Sequence, residues 1–236
     1  MISPLASIHP EAKLAGNVTV EAFAVVEADV EIGEGAWIAS GAYILAGTRM
    51  GKNCRVFHGA VVGGIPQDLK FEGEYSQVII GDGCTIRECA TINRGTKAFG
   101  KTILGRECLV MANAHVAHDC QVGDHVILVN NVALAGHVEI GDWSIIGGLS
   151  AVHQFVKIGA HVMVGGGSLV RKDIPPYITV AREPLSYEGV NALGLRRRSF
   201  KNARIEEIHH AYRLVYQSCF NTSQAISQIE LEVAES

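Results

Sequence analysis

Aromatic side chains are scarce in this sequence, and other common features are missing from it. Phe, Trp and Tyr make up 6% of its 236 residues, which disfavours a thick core built around large rings. Because no apolar run reaches about 18 residues, we expect neither a membrane span nor a signal peptide and predict a cytoplasmic protein. The net charge of −4 and the pI near 6.2 argue against a nucleic-acid partner.

What the sequence does contain is a repeat of six residues. An aliphatic residue or methionine recurs at every sixth position from Ile8 to Val170, with misses only at Asp68, Glu74 and Ala98. The central part of this column is Leu104, Val110, Val116, Val122, Leu128, Leu134, Ile140, Ile146, Val152, Ile158 and Val164. A helix face recurs every 3.6 residues and a strand face every two, so a period of six predicts a parallel β-helix. Three hexads form one coil, and residues separated by three hexads should therefore stack about 4.8 Å apart.

A second column of small residues follows each aliphatic residue by four positions, as a narrow interior requires. It includes Cys54, Cys84, Cys108 and Cys120, whereas Cys89 and Cys219 lie off it. Since there is no CxxC pair, we interpret these cysteines as reduced thiols, the inward ones buried as small apolar side chains.

The three misses predict two loops that leave the coil, near residues 63–77 and 95–102. We therefore predict a mainly β fold, in which residues 1–176 form a parallel β-helix of hexapeptide repeats and residues 177–236 form a small C-terminal α-helical domain. The apolar spacing becomes helical from about Tyr187, and Ser199 is a candidate N-cap of the second helix.

The stacking rule also brings polar residues together. It places Gly136 above His118 and Gln154 above Gly136, and it places His137 above Asp119. A base, a backbone N–H that can be approached closely and an amide in one column suit an acyl-transfer site. The competing interpretation is that each histidine is an ordinary surface residue.

Two other groups of residues allow more than one interpretation. Zinc bound by His115, His118 and His137 is an alternative that we disfavour, because residues 115 and 118 should point to different faces, and we predict no metal and no cofactor. The positive cluster Arg196-Arg197-Arg198 is either a solvated helix face or a clamp for a diphosphate.

Several longer motifs carry a resemblance to a known family. They are Gly64-Ile-Pro-Gln-Asp-Leu-Lys, Asn113-Ala-His-Val-Ala-His-Asp-Cys, Asn130-Asn-Val-Ala-Leu-Ala-Gly-His-Val and Ala151-Val-His-Gln-Phe, and they extend over nearly the whole chain. The sequence resembles the UDP-N-acetylglucosamine O-acyltransferases of lipid A synthesis. This resemblance implies a left-handed β-helix, a homotrimer, and transfer of an (R)-3-hydroxyacyl chain from acyl carrier protein to the glucosamine 3-hydroxyl of UDP-N-acetylglucosamine.

The resemblance also implies roles for individual residues. His118 matches the general base, Asp119 the carboxylate that orients it, and Gly136 the oxyanion donor. The substrate-contacting positions are matched by Asp68, Lys70, His115, His137, His153 and Gln154, and the nucleotide-contacting positions by Asn191, Arg197 and Arg198. Gly166 matches the position that limits acyl length, and a glycine there implies a long chain; Leu193 stands where the family often has an acidic residue.

Three alternatives remain open on the sequence alone. The N-acyltransferase of the same pathway is disfavoured because the repeat begins by Ile8, without the sizeable N-terminal domain of that enzyme. A small acetyltransferase that uses coenzyme A is a second alternative. A non-catalytic β-helix such as an ice-binding protein is the third, although the threonines form no ladder from one coil to the next.

Overall fold

The structure is a computed structural model that describes residues 1–232. Its strands are β1 (Ser7–Ile8), β2 (Lys13–Leu14), β3 (Thr19–Val20), β4 (Val25–Val26), β5 (Glu31–Ile32), β6 (Trp37–Ile38), β7 (Tyr43–Ile44), β8 (Thr48–Met50), β9 (Arg55–Val56), β10 (Val61–Gly64), β11 (Gln77–Ile80), β12 (Thr85–Ile86), β13 (Thr91–Asn93), β14 (Lys101–Leu104), β15 (Leu109–Val110), β16 (His115–Val116), β17 (Gln121–Val122), β18 (Ile127–Leu128), β19 (Ala133–Leu134), β20 (Glu139–Ile140), β21 (Ile145–Ile146), β22 (Ala151–Val152), β23 (Lys157–Ile158), β24 (Met163–Val164), β25 (Leu169–Val170), β26 (Ile178–Ala181) and β27 (Ser186–Val190). The helices are α1 (Ala192–Arg197), α2 (Asn202–Gln217) and α3 (Thr222–Glu232).

Successive strands join three parallel sheets in turn, which form the three faces of a prism. Sheet I runs from β1 through β4 and β7 to β25, sheet II from β2 through β5 to β23, and sheet III from β3 through β6 to β24 and β26. Partners such as Ile127 and Ile145 are separated by three hexads in sequence, so the predicted stacking is confirmed. The separation rises to five hexads between Thr48 and Val78, and to four between Thr91 and His115, because a loop intervenes in each case.

The interior of the prism is filled by the column of aliphatic residues. Each of these residues is the inward side chain of its strand, and Ile38, Ile86 and Leu134 are examples with no exposed surface. Burial of one such side chain contributes about 1.5–3 kcal/mol. The predicted β-helix of hexapeptide repeats followed by C-terminal helices is confirmed.

The four inward cysteines are buried free thiols, as predicted. Their Sγ atoms donate to turn carbonyls of the next coil; the bond from Cys84 to the Gly105 oxygen, for example, is 3.0 Å long. Burial raises the pKa of the Cys120 thiol to about 12. These thiols therefore satisfy turn carbonyls that the parallel ladders leave over.

The sheets meet at three corners, where the backbone adopts positive φ. Corner I–II carries Asp29, Gly47, Asp119, His137 and Phe155; corner II–III carries Asn17, Gly35, Asn53, Gly83, Glu107, His125, Trp143, His161 and Tyr177; corner III–I carries Phe23, Gly41, Gly59, Cys89, Asn113, Asn131, Leu149 and Gly167. Side chains at these corners point away from the core, so each corner presents a vertical row of outward groups.

The C-terminal end departs from the sequence prediction in two respects. The helical pattern does not begin near Tyr187, because Ser186–Val190 is a strand that pairs antiparallel with β26. Ser199 does not cap α2: its φ is +63°, whereas the N-cap is Lys201 in an extended conformation. The division at residue 176 stays a prediction, and the end of the predicted helical domain, 233–236, lies outside the described residues. In residues 1–232 no helix is both long and apolar enough to cross a membrane.

Candidate active site

Both loops leave the prism at corner I–II. Residues 65–76, the first loop, connect β10 of sheet I to β11 of sheet II, and residues 94–100, the second loop, connect β13 to β14 across the same corner. On the next coil, this corner is formed by His118 and Asp119, between β16 and β17. The two irregular segments therefore lie beside the histidine that the sequence singles out.

The side chains of His118 and Asp119 are hydrogen-bonded to each other. His118 Nδ1 lies 2.9 Å from Asp119 Oδ2, and the carboxylate is buried whereas the imidazole keeps an exposed edge. An ionised carboxylate only accepts hydrogen bonds, so the proton of a neutral His118 resides on Nδ1 and Nε2 is left as a free base.

Gly136 lies directly against the ring of His118. A Cβ at this position would be 2.5 Å from His118 Cε1 and 2.7 Å from Nε2, so any side chain would collide with the imidazole. The N–H of His137 donates to the carbonyl of His118 (3.0 Å), whereas the Gly136 N–H has no hydrogen-bond acceptor within residues 1–232. A free backbone donor therefore lies beside a free base.

His137 packs between the hydrogen-bonded pair His118–Asp119 and an aromatic side chain. Its ring is stacked on Phe155 at a centroid distance of 4.6 Å and meets the ring of His118 edge to face at 5.2 Å. Its Nε2 lies 3.7 Å from Asp119 Oδ2. Phe155, which is 61% exposed, covers the outer side of His137.

His115 and His153 flank this cluster on the side of sheet I. His115 Nδ1 lies 2.7 Å from Thr91 Oγ1, and burial, followed by the nearby His118, lowers the pKa of His115. His115 is therefore neutral near pH 7. His153 and Gln154 are exposed on the coil above Gly136, and His153 Nδ1 lies 3.1 Å from the Gln154 carbonyl oxygen.

The first loop, which begins and ends at the same corner, carries Asp68 and Lys70. Asp68 Oδ1 accepts from the Lys70 N–H (3.0 Å), and the Lys70 side chain has no carboxylate within ion-pair distance in the described residues. The two loops are joined where the Lys97 N–H donates to Glu74 (2.9 Å). The loop that leaves and rejoins the prism at corner I–II thus carries a carboxylate and an unpaired ammonium.

Comparison with known proteins gives concordant matches. Residues 173–236 match the model described as UDP N-acetylglucosamine O-acyltransferase, domain 2, and residues 29–64 and 101–136 match the bacterial transferase hexapeptide model. An acyl-[acyl-carrier-protein]--UDP-N-acetylglucosamine O-acyltransferase of Anaeromyxobacter sp. is 41% identical over 191 residues, 80% of this chain and 74% of that protein.

Solved structures agree over almost the full length. The UDP-N-acetylglucosamine acyltransferase of Bacteroides fragilis is 50% identical with a TM-score of 0.98, covering 100% of this chain and 92% of that one. The enzyme of Campylobacter jejuni is 40% identical with a TM-score of 0.94, covering 100% and 92%. The chain belongs to the UDP-N-acetylglucosamine O-acyltransferase family. It is an acyltransferase with the left-handed β-helix expected of that family.

Not all residues that the family resemblance singles out lie at corner I–II. Asn191 and Arg198 lie at corner II–III: Asn191 Nδ2 donates to the His161 carbonyl (2.9 Å), and Arg198 Nη2 donates to the Trp143 carbonyl (2.6 Å). Arg197 is exposed on the same short helix, α1. Within one chain these groups are therefore separated from His118 by the width of sheet II.

The corner II–III cluster contains unpaired polar atoms. Arg198 Nη1 and His161 Nδ1 are buried and have no hydrogen-bond partner among residues 1–232. Burial lowers the pKa of Arg198, and burial followed by the Arg198 charge lowers that of His161. Unpaired buried polar atoms are costly, and the free N–H of Arg198 is suited to an external acceptor.

Gly166 lies at the remaining corner, III–I. A Cβ there would lie 3.1 Å from the Gly148 carbonyl oxygen. The predicted site residues thus occupy all three corners of the prism, and one chain brings together only the His118 group and the first loop.

The distances at corner I–II also permit a cation, but the hydrogen bonding does not favour one. His118, Asp119 and His137 each offer a ligand atom, and all three atoms lie within 4.8 Å of one another. This set differs from the zinc ligands considered from the sequence, His115, His118 and His137, because Asp119 replaces His115. Asp119 Oδ2 already accepts from His118 and from Thr96 Oγ1 (2.6 Å), so a metal ion at this oxygen would have to compete with these two donors.

Sequence reasoning missed three neighbours of the site. Thr96 binds Asp119, Thr91 binds His115, and Phe155 covers His137. Phe155 follows from the stacking rule, since it lies one coil above His137. Thr91 and Thr96 could not be found in this way because the second loop lengthens the spacing between coils from three hexads to four.

Proposed function

We propose that this acyltransferase moves an (R)-3-hydroxyacyl chain from acyl carrier protein to the 3-hydroxyl of the glucosamine in UDP-N-acetylglucosamine, the first step of lipid A synthesis. The observation that carries the proposal is the group at corner I–II: a base oriented by a buried carboxylate, with a free backbone N–H against its ring. The activity of the family relatives supplies the donor and the acceptor.

In the proposed mechanism His118 Nε2 removes the proton of the sugar hydroxyl while its oxygen attacks the thioester carbonyl. Negative charge then develops on the carbonyl oxygen, where the Gly136 N–H can donate to it. Collapse of the tetrahedral intermediate breaks the carbon–sulfur bond, and the imidazolium returns its proton to the leaving thiolate. The products are the O-acylated sugar nucleotide and free thiol on the carrier protein, and Asp119 stabilises the imidazolium throughout.

We infer that the complete site needs a second copy of the chain. Two of the three faces present mainly neutral outward residues: Ala133, Ala151 and Leu169 on sheet I, and Leu109, Ile127, Ile145 and Met163 on sheet III. Sheet II instead presents ion pairs such as Lys157–Glu139 (2.9 Å) and Lys13–Glu31 (3.0 Å), which suit solvent. A chain with two neutral faces can close into a ring, and sheet I of each copy would pack against sheet III of the next.

A homotrimer of this kind would reunite the separated residues. When sheet I meets sheet III of the next copy, corner I–II of one chain lies beside corner II–III of its neighbour, and both III–I corners lie near the axis. The His118 group would then face Asn191, Arg197 and Arg198 of the neighbour, which suit the nucleotide. The acyl chain would run inward between the faces towards Gly166, which leaves room for a long chain.

Asp68, Lys70, His137, His153 and Gln154 complete the proposed substrate contacts around corner I–II. The unpaired Lys70 ammonium suits an anionic group of the substrate. The ring nitrogens of His115 and His137 suit hydroxyl and amide groups. We place the reaction in the cytoplasm, because six free thiols fit a reducing compartment.

The test is a mass-spectrometric assay with UDP-N-acetylglucosamine and a panel of 3-hydroxyacyl carrier proteins of different chain lengths. We expect the mass of one hydroxyacyl group to be added to the sugar nucleotide, with the longer chains preferred. Acetyl-coenzyme A serves as the competing donor. Transfer from acetyl-coenzyme A alone, or addition only to a sugar amine, would refute the proposal.

A further inference from the structure

Thr96, in the second loop, binds both oxygens of the Asp119 carboxylate. Its backbone N–H donates to Oδ1 (2.9 Å) and its hydroxyl donates to Oδ2 (2.6 Å). Both residues are buried, with Asp119 only 2% exposed. These two bonds join the second loop to the coil that carries His118 and Asp119, through the carboxylate that contacts His118.

The two bonds fix the direction in which the carboxylate points. Asp119 Oδ2 accepts from Thr96 and from His118 Nδ1, so a rotation of the carboxylate would break three hydrogen bonds together. The backbone of Asp119 is held as well, since its N–H donates to Thr102 Oγ1 (2.9 Å). The plane of the carboxylate, and with it the hydrogen bond to the imidazole, is therefore set from the coil beneath.

We propose that Thr96 is a positioning residue for the reaction, which acts through Asp119 to hold the His118 ring with Nε2 directed at the sugar hydroxyl. This inference rests on the proposed function of His118 as the base. Among the described residues Thr96 makes no hydrogen bond to His118, so its proposed effect reaches the imidazole through the carboxylate. The second loop would then serve to bring the Thr96 hydroxyl to corner I–II.

A purely structural role predicts a different result. If Thr96 only anchored the second loop, its loss would lower stability or disturb substrate contacts made by the neighbouring first loop, and KM would rise. If it positions the carboxylate, kcat falls while KM stays near the wild-type value. A displaced general base can lower a rate by about a hundredfold.

The experiment compares Thr96→Val, which removes the hydroxyl at nearly constant shape, with Thr96→Ser, which keeps it. We expect Thr96→Val to lower kcat roughly 10- to 100-fold with little change in KM, and Thr96→Ser to restore most of the rate. Thr48→Val is the matched control, because Thr48 is also buried and its hydroxyl bonds the Leu45 carbonyl (2.7 Å) away from the carboxylate. Should Thr96→Val fail to fold, Thr96→Cys, a weaker donor of similar size, takes its place with an intermediate rate expected.

A double-mutant cycle tests whether Thr96 acts through Asp119. In an Asp119→Asn background, Thr96→Val should cost little further kcat, because the carboxylate it orients is gone. Wild-type kcat in Thr96→Val, failure of serine to rescue, or full additivity with Asp119→Asn would each overturn the proposal.

One readout separates this inference from the proposed function. The proton on His118 Nδ1, bonded to a buried carboxylate, should give a low-field proton resonance in the free enzyme without any substrate. We expect Thr96→Val to shift or broaden that resonance and Thr48→Val to leave it unchanged. An unchanged resonance in Thr96→Val would reject the positioning role even if acyl transfer occurs, whereas absence of acyl transfer by the wild-type enzyme would reject the proposed function instead.

Discussion

Two corners of the same prism each hold an imidazole, but they place it beside opposite charges. At corner I–II the partner of His118 is the carboxylate of Asp119, and at corner II–III the neighbour of His161 is the guanidinium of Arg198. Both corners arise from the same turn of the same repeat. The coil therefore supplies position only. At the first corner a carboxylate accepts the Nδ1 proton and leaves Nε2 free, whereas at the second corner burial, followed by the charge of Arg198, lowers the pKa of His161.

The largest expected effect comes from removal of the base. His118→Ala should lower kcat by about 10² to 10⁴, the usual contribution of general acid–base catalysis, while the protein stays folded. His58→Ala, an exposed histidine outside corner I–II, is the control and should keep wild-type activity. Initial rates and circular dichroism check both variants. A folded and fully active His118→Ala enzyme would show that corner I–II does not supply the base.

A smaller but still large effect is expected from Gly136→Ala. The new methyl group would lie 2.5 Å from the His118 ring and would push the ring away from the Asp119 carboxylate that accepts its Nδ1 proton, so we expect kcat to fall roughly a hundredfold. Gly16→Ala is the matched control, because a Cβ at Gly16 meets nothing within 4 Å. Equal activity of the two alanine variants would show that the contact between Gly136 and His118 has no role in the reaction.

Corner II–III should affect binding more than chemistry. Arg198→Ala should raise the KM for the sugar nucleotide about tenfold through loss of a charged hydrogen-bond donor, with a smaller change in kcat. If the site is shared between copies, refolding His118→Ala and Arg198→Ala chains together should regenerate some intact sites, up to roughly a quarter of the total. Activity of the mixture that merely equals the average of the two separate variants would argue against a shared site.

The mildest effect concerns the pH dependence of stability. The pKa of His161 is lowered by burial, so the unfolded chain binds more protons than the folded chain below about pH 6.5. Stability should therefore decrease as pH falls through this value towards the folded-state pKa, and thermal melting at about pH 7.5 and pH 5.5 measures the change. His161→Gln should reduce the difference in Tm between the two conditions, whereas exposed His9→Gln should leave it unaltered.

Much of the fold could be predicted because one repeat determines it. The hexad column gives the strand positions from Ile8 to Val170 and the stacking of His118, Gly136 and Gln154. The end of the prism was harder to predict, since Ser186–Val190 pairs with β26 in a hairpin that lies outside the hexad repeat. Local spacing near Tyr187 suits a helix, but the open edge of β26 selects a strand.

The candidate site could be predicted only as far as the stacking rule holds. The rule fails across the second loop, so the stacking of hexads does not predict the contacts of Thr91 with His115 and of Thr96 with Asp119. Residues such as Asn191 and Gly166 come from the family likeness alone, and their separation from His118 follows from the three-cornered shape. The residues of the proposed site thus lie at corners that the path of one chain does not join.

The positive φ values at the corners have a consequence for how such a molecule can change. Phe155 and Leu149, at φ +66° and +62°, stand in a conformation that costs about 1–2 kcal/mol for ordinary residues, yet their side chains lie outside the core. Replacing either side chain leaves the packed interior of the prism as it was, so each corner offers a row of exchangeable positions on an unchanged core. New substrate preferences can therefore arise at one edge without a new fold.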